Sequence, residues 1–204
     1  MARKSNHERY AEWWQSRSMA ESELQMLAFG YEERHFADLR LATPGISKRL
    51  LGYQVQMDDG SWIATEGEVN VSIDGWIFKY KRFRDIVGRC DSKSQTIYIK
   101  PGLDKVEHPA CVLHEMIHAY ESQLSPPFRE WLLLHLYARM AKRIKPSELN
   151  RKMAASVHAM VHNSAHGLLF LLKSLELDMY FKWPPGTVFG YGRADYLNPP
   201  KVKQ

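Results

Sequence analysis

The sequence predicts an α+β fold in which helices pack around a small, mostly antiparallel sheet, and three observations carry that expectation. Apolar residues recur at helical spacing in the first forty positions, and helical patterns return after about residue 105. Between Leu51 and Leu103 the pattern changes to short alternating runs, divided by the turn signals Asp58-Asp59-Gly60 and Asp74-Gly75. The stretch Cys111 to Tyr120 then sets His114-Glu115-Met116-Ile117-His118 inside an apolar frame of Val112, Leu113, Met116, Ile117 and Ala119, which suits a buried helix. The sheet is expected to pack on that helix.

Taken in order, His7 to Phe29 reads as one helix, with Tyr10, Trp13, Trp14, Met19, Leu24, Leu27 and Ala28 on its apolar side. Gly30 is expected to end it, Tyr31 to Leu41 forms a shorter helix, and Thr43-Pro44-Gly45 breaks that one. Trp13 and Trp14 read as core or docking residues. Strands are expected at Glu68–Ile73, Gly75–Tyr80 and Thr96–Lys100, with Pro101-Gly102 closing the last. His108-Pro109 leads into the motif helix, because proline is well suited to a first turn. Further helices run from Phe128 to about Arg143, from Pro146 to about His162, and from Ala165, capped by Asn163 or Ser164, to about Leu177. The chain reads as a single domain over 1–204. N-terminal helices occupy 1–50, a core with a helical insert at about 125–162 occupies 51–182, and an extended Pro/Gly-rich tail with aromatics occupies 183–204.

Composition bounds the function. With 204 residues, 45% hydrophobic and 25% charged, the chain has the make-up of a globular protein with a sizeable core. No stretch is long and apolar enough to span a membrane, and MARKSNHERYAEWW is not a secretory signal. Cys90 and Cys111 are the only cysteines, which excludes a disulfide framework and a four-cysteine zinc ribbon and suits an intracellular protein, nuclear or cytoplasmic. A net charge of +5 and a pI near 9.1 are compatible with an acidic partner such as nucleic acid.

The chemistry centres on the His-Glu-x-x-His pattern. Residues four apart on a helix share a face, so His114 and His118 can reach one Zn²⁺ ion, while Glu115, about 100° round the helix, can act as general base beside it. A catalytic zinc takes three protein ligands and leaves a position open, so one more is needed. His166, followed by Gly167 and opening an apolar helix, is the favoured third ligand, with His162 in reserve and His158 after it; His135 sits in a leucine-rich run and reads as packed. The short metzincin pattern is excluded, because Glu121 and Leu124 stand where it needs Gly and His. A downstream glutamate ligand, Glu148 or Glu176, is the other arrangement.

These residues resemble the SprT-like zinc metallopeptidases, which include the Spartan proteases acting on DNA–protein crosslinks. The likeness covers about residues 65 to 180. It rests on Gly88-Arg89-Cys90 as a glycine-cysteine turn, followed by the strand at Thr96–Ile99 and Pro101-Gly102-Leu103. It rests further on His114 to Tyr120 as the active-site helix, and on His166-Gly167-x-x-Phe170 as the opening of the third-ligand helix. The resemblance implies a zincin-like domain with His114, His118 and His166 as zinc ligands, Glu115 as general base, and a protein or peptide substrate, including DNA-bound protein. The 118-to-166 spacing is longer than in compact members, and the family's cysteine-rich zinc ribbon and ubiquitin-binding finger are absent from this sequence.

Lys79, Lys81, Arg82 and Arg84, interleaved with Tyr80 and Phe83, are candidate nucleic-acid contacts, and Lys142, Arg143, Lys145, Arg151 and Lys152 form a second basic cluster. The alternative from another class is a catalytically silent zincin-fold module binding a protein or nucleic acid. The intact Glu115 favours the hydrolase, since a structural site has no use for a base.

Overall fold

The computed structural model describes residues 4–36, 54–56, 62–64, 73, 75–124, 126–145, 147–148, 151 and 166–192. The chain opens with two helices, α1 (Asn6–Ser16) and α2 (Met19–His35). Each begins with a capping box. The Ser5 hydroxyl accepts the Glu8 N–H at 3.2 Å while Glu8 accepts the Ser5 N–H at 2.8 Å, and Ser18 and Glu21 repeat the exchange. The expected continuous helix is therefore broken at Arg17-Ser18, where Ser18 starts a new one. Gly30 does not end a helix; it lies inside α2, its carbonyl accepting from Arg34 Nε at 2.8 Å.

Strands β1 (Gln54–Gln56) and β2 (Trp62–Ala64) pair antiparallel, with Val55 opposite Ile63. The expected strand at Glu68–Ile73 lies outside the described residues, apart from a fully buried bend at Ile73. The main sheet holds β3 (Ile77–Tyr80), β4 (Gly88–Asp91) and β5 (Thr96–Ile99) in the order β3-β5-β4. It is mixed rather than mostly antiparallel: β5 runs antiparallel to β4 but parallel to β3. The tight turn at 92–95 forces β4 and β5 antiparallel, while the loop at 81–87 carries the chain past one strand position, so β5 fills the slot between its predecessors. Gly88-Arg89-Cys90, expected as a turn, is the start of an edge strand.

The outer edge of β3 is closed by a side chain. Gln25 of α2 is fully buried, its amide donating to the Trp76 carbonyl and accepting the Phe78 N–H, both at 3.2 Å, as a neighbouring strand would. Glu32 of α2 accepts the Ile73 N–H at 2.9 Å and the Tyr120 hydroxyl, and Phe36 stacks on Tyr120 with ring centroids 4.8 Å apart. The first helices are thus part of the body. Leu24, Ala28 and Phe36 share one apolar cluster with Phe78, Ile97, Met116, Leu136, Phe170 and Val188. Trp13 is buried, whereas Trp14 is partly exposed under the Arg17 guanidinium at 3.7 Å.

Helix α3 (Glu107–Glu121) carries the motif. Its first turn holds Pro109, as expected, and Asp104 Oδ1 accepts the Val106 and Glu107 N–H groups at 2.7 Å each. It packs on β4, β5, α2 and a helix α5 (Leu168–Phe181), which is also lined by α4 (Pro126–Ala141). The helix expected from Pro146 to His162 and the caps Asn163 and Ser164 fall almost wholly outside the described residues. Helix α5 starts three residues later than expected, with Gly167 as its N-cap. The tail is not extended over its first part. Residues 185–192 form successive turns, because the buried Asp178 collects the Gly186 N–H at 2.6 Å and the Val188 N–H at 2.9 Å. No helix among the described residues is long and apolar enough to cross a membrane.

Replacing Gln25 by Leu fills a similar volume but leaves the Phe78 N–H and the Trp76 carbonyl buried without partners. Unfolding free energy should fall by about 2 kcal/mol or more, read from denaturant titration.

Candidate metal centre

Two elements meet at the site. On α3, His114 and His118 lie one turn apart, and His166 sits just before the Gly167 cap of α5 rather than in its first turn. Their rings surround Phe170, each with its centroid 4.6 Å from that ring. His114 is fully buried, and its Nδ1 lies 3.0 Å from the Val188 carbonyl. A carbonyl only accepts, so Nδ1 carries the proton and the Nε2 lone pair faces inward. His166 Nε2 lies 3.0 Å from His114 Nε2 and 3.2 Å from His118 Nε2.

Three imidazole nitrogens at one point cannot all be satisfied by hydrogen bonds, since His114 Nε2 has only a lone pair and His166 Nε2 cannot serve both neighbours at once. A tetrahedral ion about 2.1 Å from each nitrogen would hold them about 3.4 Å apart, close to the separations seen. The residues fit a metal ion, and His114, His118 and His166 are the only such group among the described residues. Burial and the mutual proximity of the rings hold His114 well below the ordinary histidine range and His118 at about 4; burial alone lowers His166. All three are neutral near pH 7, the form a metal requires.

Glu115 is enclosed by β4 and the tail. Its carboxylate accepts from the Cys90 backbone N–H and, at 3.1 Å, from the Tyr191 hydroxyl, while the Tyr191 ring stacks on His114 with centroids 3.7 Å apart. Burial pushes it up to about 8, against the pull of those two donors. Gly88 makes this possible, because a Cβ there would stand 2.6 Å from Glu115 Oε1 and 2.7 Å from Cys111 Sγ. Gly192, at φ 93°, lets the tail run against Glu107, whose Cα a Cβ would approach to 3.1 Å.

Glu121, one turn beyond His118, ties the centre together. Its carboxylate accepts the Phe170 N–H in the first turn of α5, a helix whose own cap residue offers no side chain, and its backbone carbonyl accepts Arg129 Nη2 of α4 at 2.8 Å. Burial raises this carboxyl to about 7 although Arg129 opposes it. An open cleft of about 520 Å³ exposes the site, lined by the β4 residues Gly88 to Cys90 together with Glu115, His118, Glu121 and His166.

The other expected residues lie elsewhere. His158 and His162 fall outside the described residues. Glu148 is exposed, and Glu176 pairs with Arg139 and Lys173 at 2.9 Å each. Lys79 lies on β3, and Lys81, Arg82 and Arg84 on the loop after it; none of them lines the cleft. Sequence reasoning missed Tyr191, Glu121 and Asp178. The only signal for Tyr191 is its place between Gly190 and Gly192 in an aromatic tail, and nothing local marks the other two.

His166→Ala should cost the chain its bound metal, measured by elemental analysis of purified protein, while wild type carries about one ion per chain. Metal loading should also release protons. Near neutral pH the metal-free Glu115 is largely protonated, a cation beside it favours the carboxylate, and the imidazoles have no proton to give. Calorimetry in buffers of different ionisation enthalpy should find about one more proton released by wild type than by Glu115→Gln, the difference shrinking as pH rises past 8.

Comparisons with protein-family models, with curated proteins and with solved structures return no match for this chain.

Proposed function

We propose that this chain is a zinc-dependent metalloendopeptidase of the SprT-like kind. The observation that carries the reading is the convergence of the His114, His118 and His166 Nε2 atoms in a cleft that also contains the Glu115 carboxylate. Among the described residues no fourth protein ligand joins the three neutral imidazoles, which suits a catalytic zinc better than a structural one. When bound, zinc supplies Lewis acidity toward a carbonyl oxygen and lowers the pKa of water.

The chain's own residues do the rest. Glu115, ionised beside a cation and fixed by the Cys90 N–H, takes a proton from the attacking water and passes it to the leaving amine. Tyr191 places a hydroxyl at the same point and is the candidate donor to the oxyanion. Strand β4 is an edge of the main sheet and walls the cleft, so an extended peptide can lie along it. The exposed Lys81, Arg82 and Arg84 suit a substrate carried on nucleic acid. The open cleft and the buried, hydrogen-bonded Glu115 favour hydrolysis over a silent binding module.

Glu115→Gln should retain zinc and lose hydrolysis of an unfolded protein such as casein by about 10²-fold or more; an unchanged rate with zinc bound would refute the assignment. Tyr191→Phe keeps the ring on His114 and removes only the hydroxyl. It should lower kcat by about 10²-fold with KM and metal content little changed.

A further inference from the structure

A second concavity, of about 240 Å³, lies where α2, α4 and α5 meet, and it shares no lining residue with the metal cleft. Four cationic side chains line it: Arg34 from α2, Arg139 from α4, Arg143 just beyond that helix, and Lys173 from α5. Among the described residues Glu176 is the single carboxylate lining it, engaged by Arg139 and Lys173 at 2.9 Å each. Among the described residues the lining thus carries four cationic groups against one carboxylate.

The excess is built into the fold. Lys173 is 1% exposed, its ammonium donating to the His35 carbonyl at 2.5 Å and lying 5.1 Å from the Phe36 ring. A buried ammonium is costly to desolvate and is kept where it has strong partners, and Glu176, which Lys173 shares with Arg139, is one of them. Among the described residues neither Arg34 nor Arg143 makes an ion pair, although Arg34 is held along α2 by its Nε bond to Gly30. The field of these cations is felt inside the basin: burial first, then Arg34 and Lys173, lower His35, against the opposing pull of Glu176. At the rim, the exposed Tyr180 meets the His35 ring edge-on with centroids 4.1 Å apart, offering an aromatic face beside the charge.

We propose that this basin is a binding site for a phosphate group, clasped between Arg34 and Arg143 above the Arg139–Glu176–Lys173 network. Two guanidinium groups lining one concavity of this size can supply the planar, multi-oxygen recognition that phosphate favours. The phosphate can be free or part of a nucleic-acid backbone; the chemistry at the basin is the same.

The test uses the full chain with its metal and the double variant Arg34→Glu/Arg143→Glu. Both positions are solvent-exposed, and unchanged melting and metal content verify that the variant is folded. Inorganic phosphate is titrated by calorimetry while the His35 ring signals are followed by NMR, and a single-stranded oligonucleotide forms the second arm. Saturable phosphate binding that raises the pH midpoint of His35, weakened at least about tenfold in the double variant, supports a free-phosphate site. Oligonucleotide binding with the same loss, without binding of free phosphate, supports the site with a nucleic-acid source. Binding that survives the double variant, including phosphate held only at the metal cleft with His35 unmoved, overturns the proposal. So does the absence of binding in both arms.

Discussion

The structure depends on how a helix that is buried almost all round keeps two polar side chains. His114 and Glu115 sit on α3 among Val112, Leu113, Met116 and Ile117, each of them excluded from solvent. Burying an imidazole and a carboxyl without partners is costly, so neighbouring elements must meet them at fixed points. The Val188 carbonyl and the Tyr191 hydroxyl come from the tail, and the Cys90 N–H comes from β4. The approach of β4 is close enough that only glycine fits at position 88. One layer further out, Asp178 holds the tail in its turns, and Glu121 joins the ends of α3 and α5 around His166. The same helix is anchored at its other polar point by Tyr120 on Glu32.

This arrangement has a direct electrostatic consequence. The burial that makes the hydrogen bonds strong also keeps three histidines neutral and pushes the one carboxyl among them up to about 8. In the absence of a cation the three imidazoles are therefore neutral and Glu115 is largely protonated near pH 7. A cation held by these imidazoles would favour the Glu115 carboxylate and find its ligands already neutral. Metal binding and ionisation of Glu115 would then be coupled, and the Tyr191 hydroxyl is hydrogen-bonded to that same carboxyl.

The molecule separates two kinds of polar chemistry by position. The metal cleft lies between β4, α3 and the start of α5, where apolar packing makes each polar group precise. The cationic basin lies at the far part of α5, where Lys173 and Glu176 turn one face of the same helix toward α2 and α4. Helix α5 thus contributes to both: its first turn is capped by Glu121 beside His166, and its later turns organise the positive charge.

Much of this was legible from local pattern. The spacing of His114, Glu115 and His118 in an apolar run implied a buried helix with a metal-binding face. His166-Gly167 ahead of a leucine-rich run implied a helix start, and the structure brings that histidine to the other two. The capping boxes at Ser5-x-x-Glu8 and Ser18-x-x-Glu21 were also in the sequence, but apolar periodicity across the break hid the second helix start. Strand order was not legible, because alternation marks a strand without naming its neighbour, and β5 could pair with β3 only once the 81–87 loop had passed it. Nor were Gln25 closing β3 or Tyr191 reaching Glu115, contacts that span 53 and 76 residues. Local pattern was enough to locate the helix that carries His114, Glu115 and His118, because periodicity and side-chain chemistry are local. Only the tertiary structure decided what surrounds those groups, because each of their partners is recruited from a distant segment by the need to satisfy a buried polar atom.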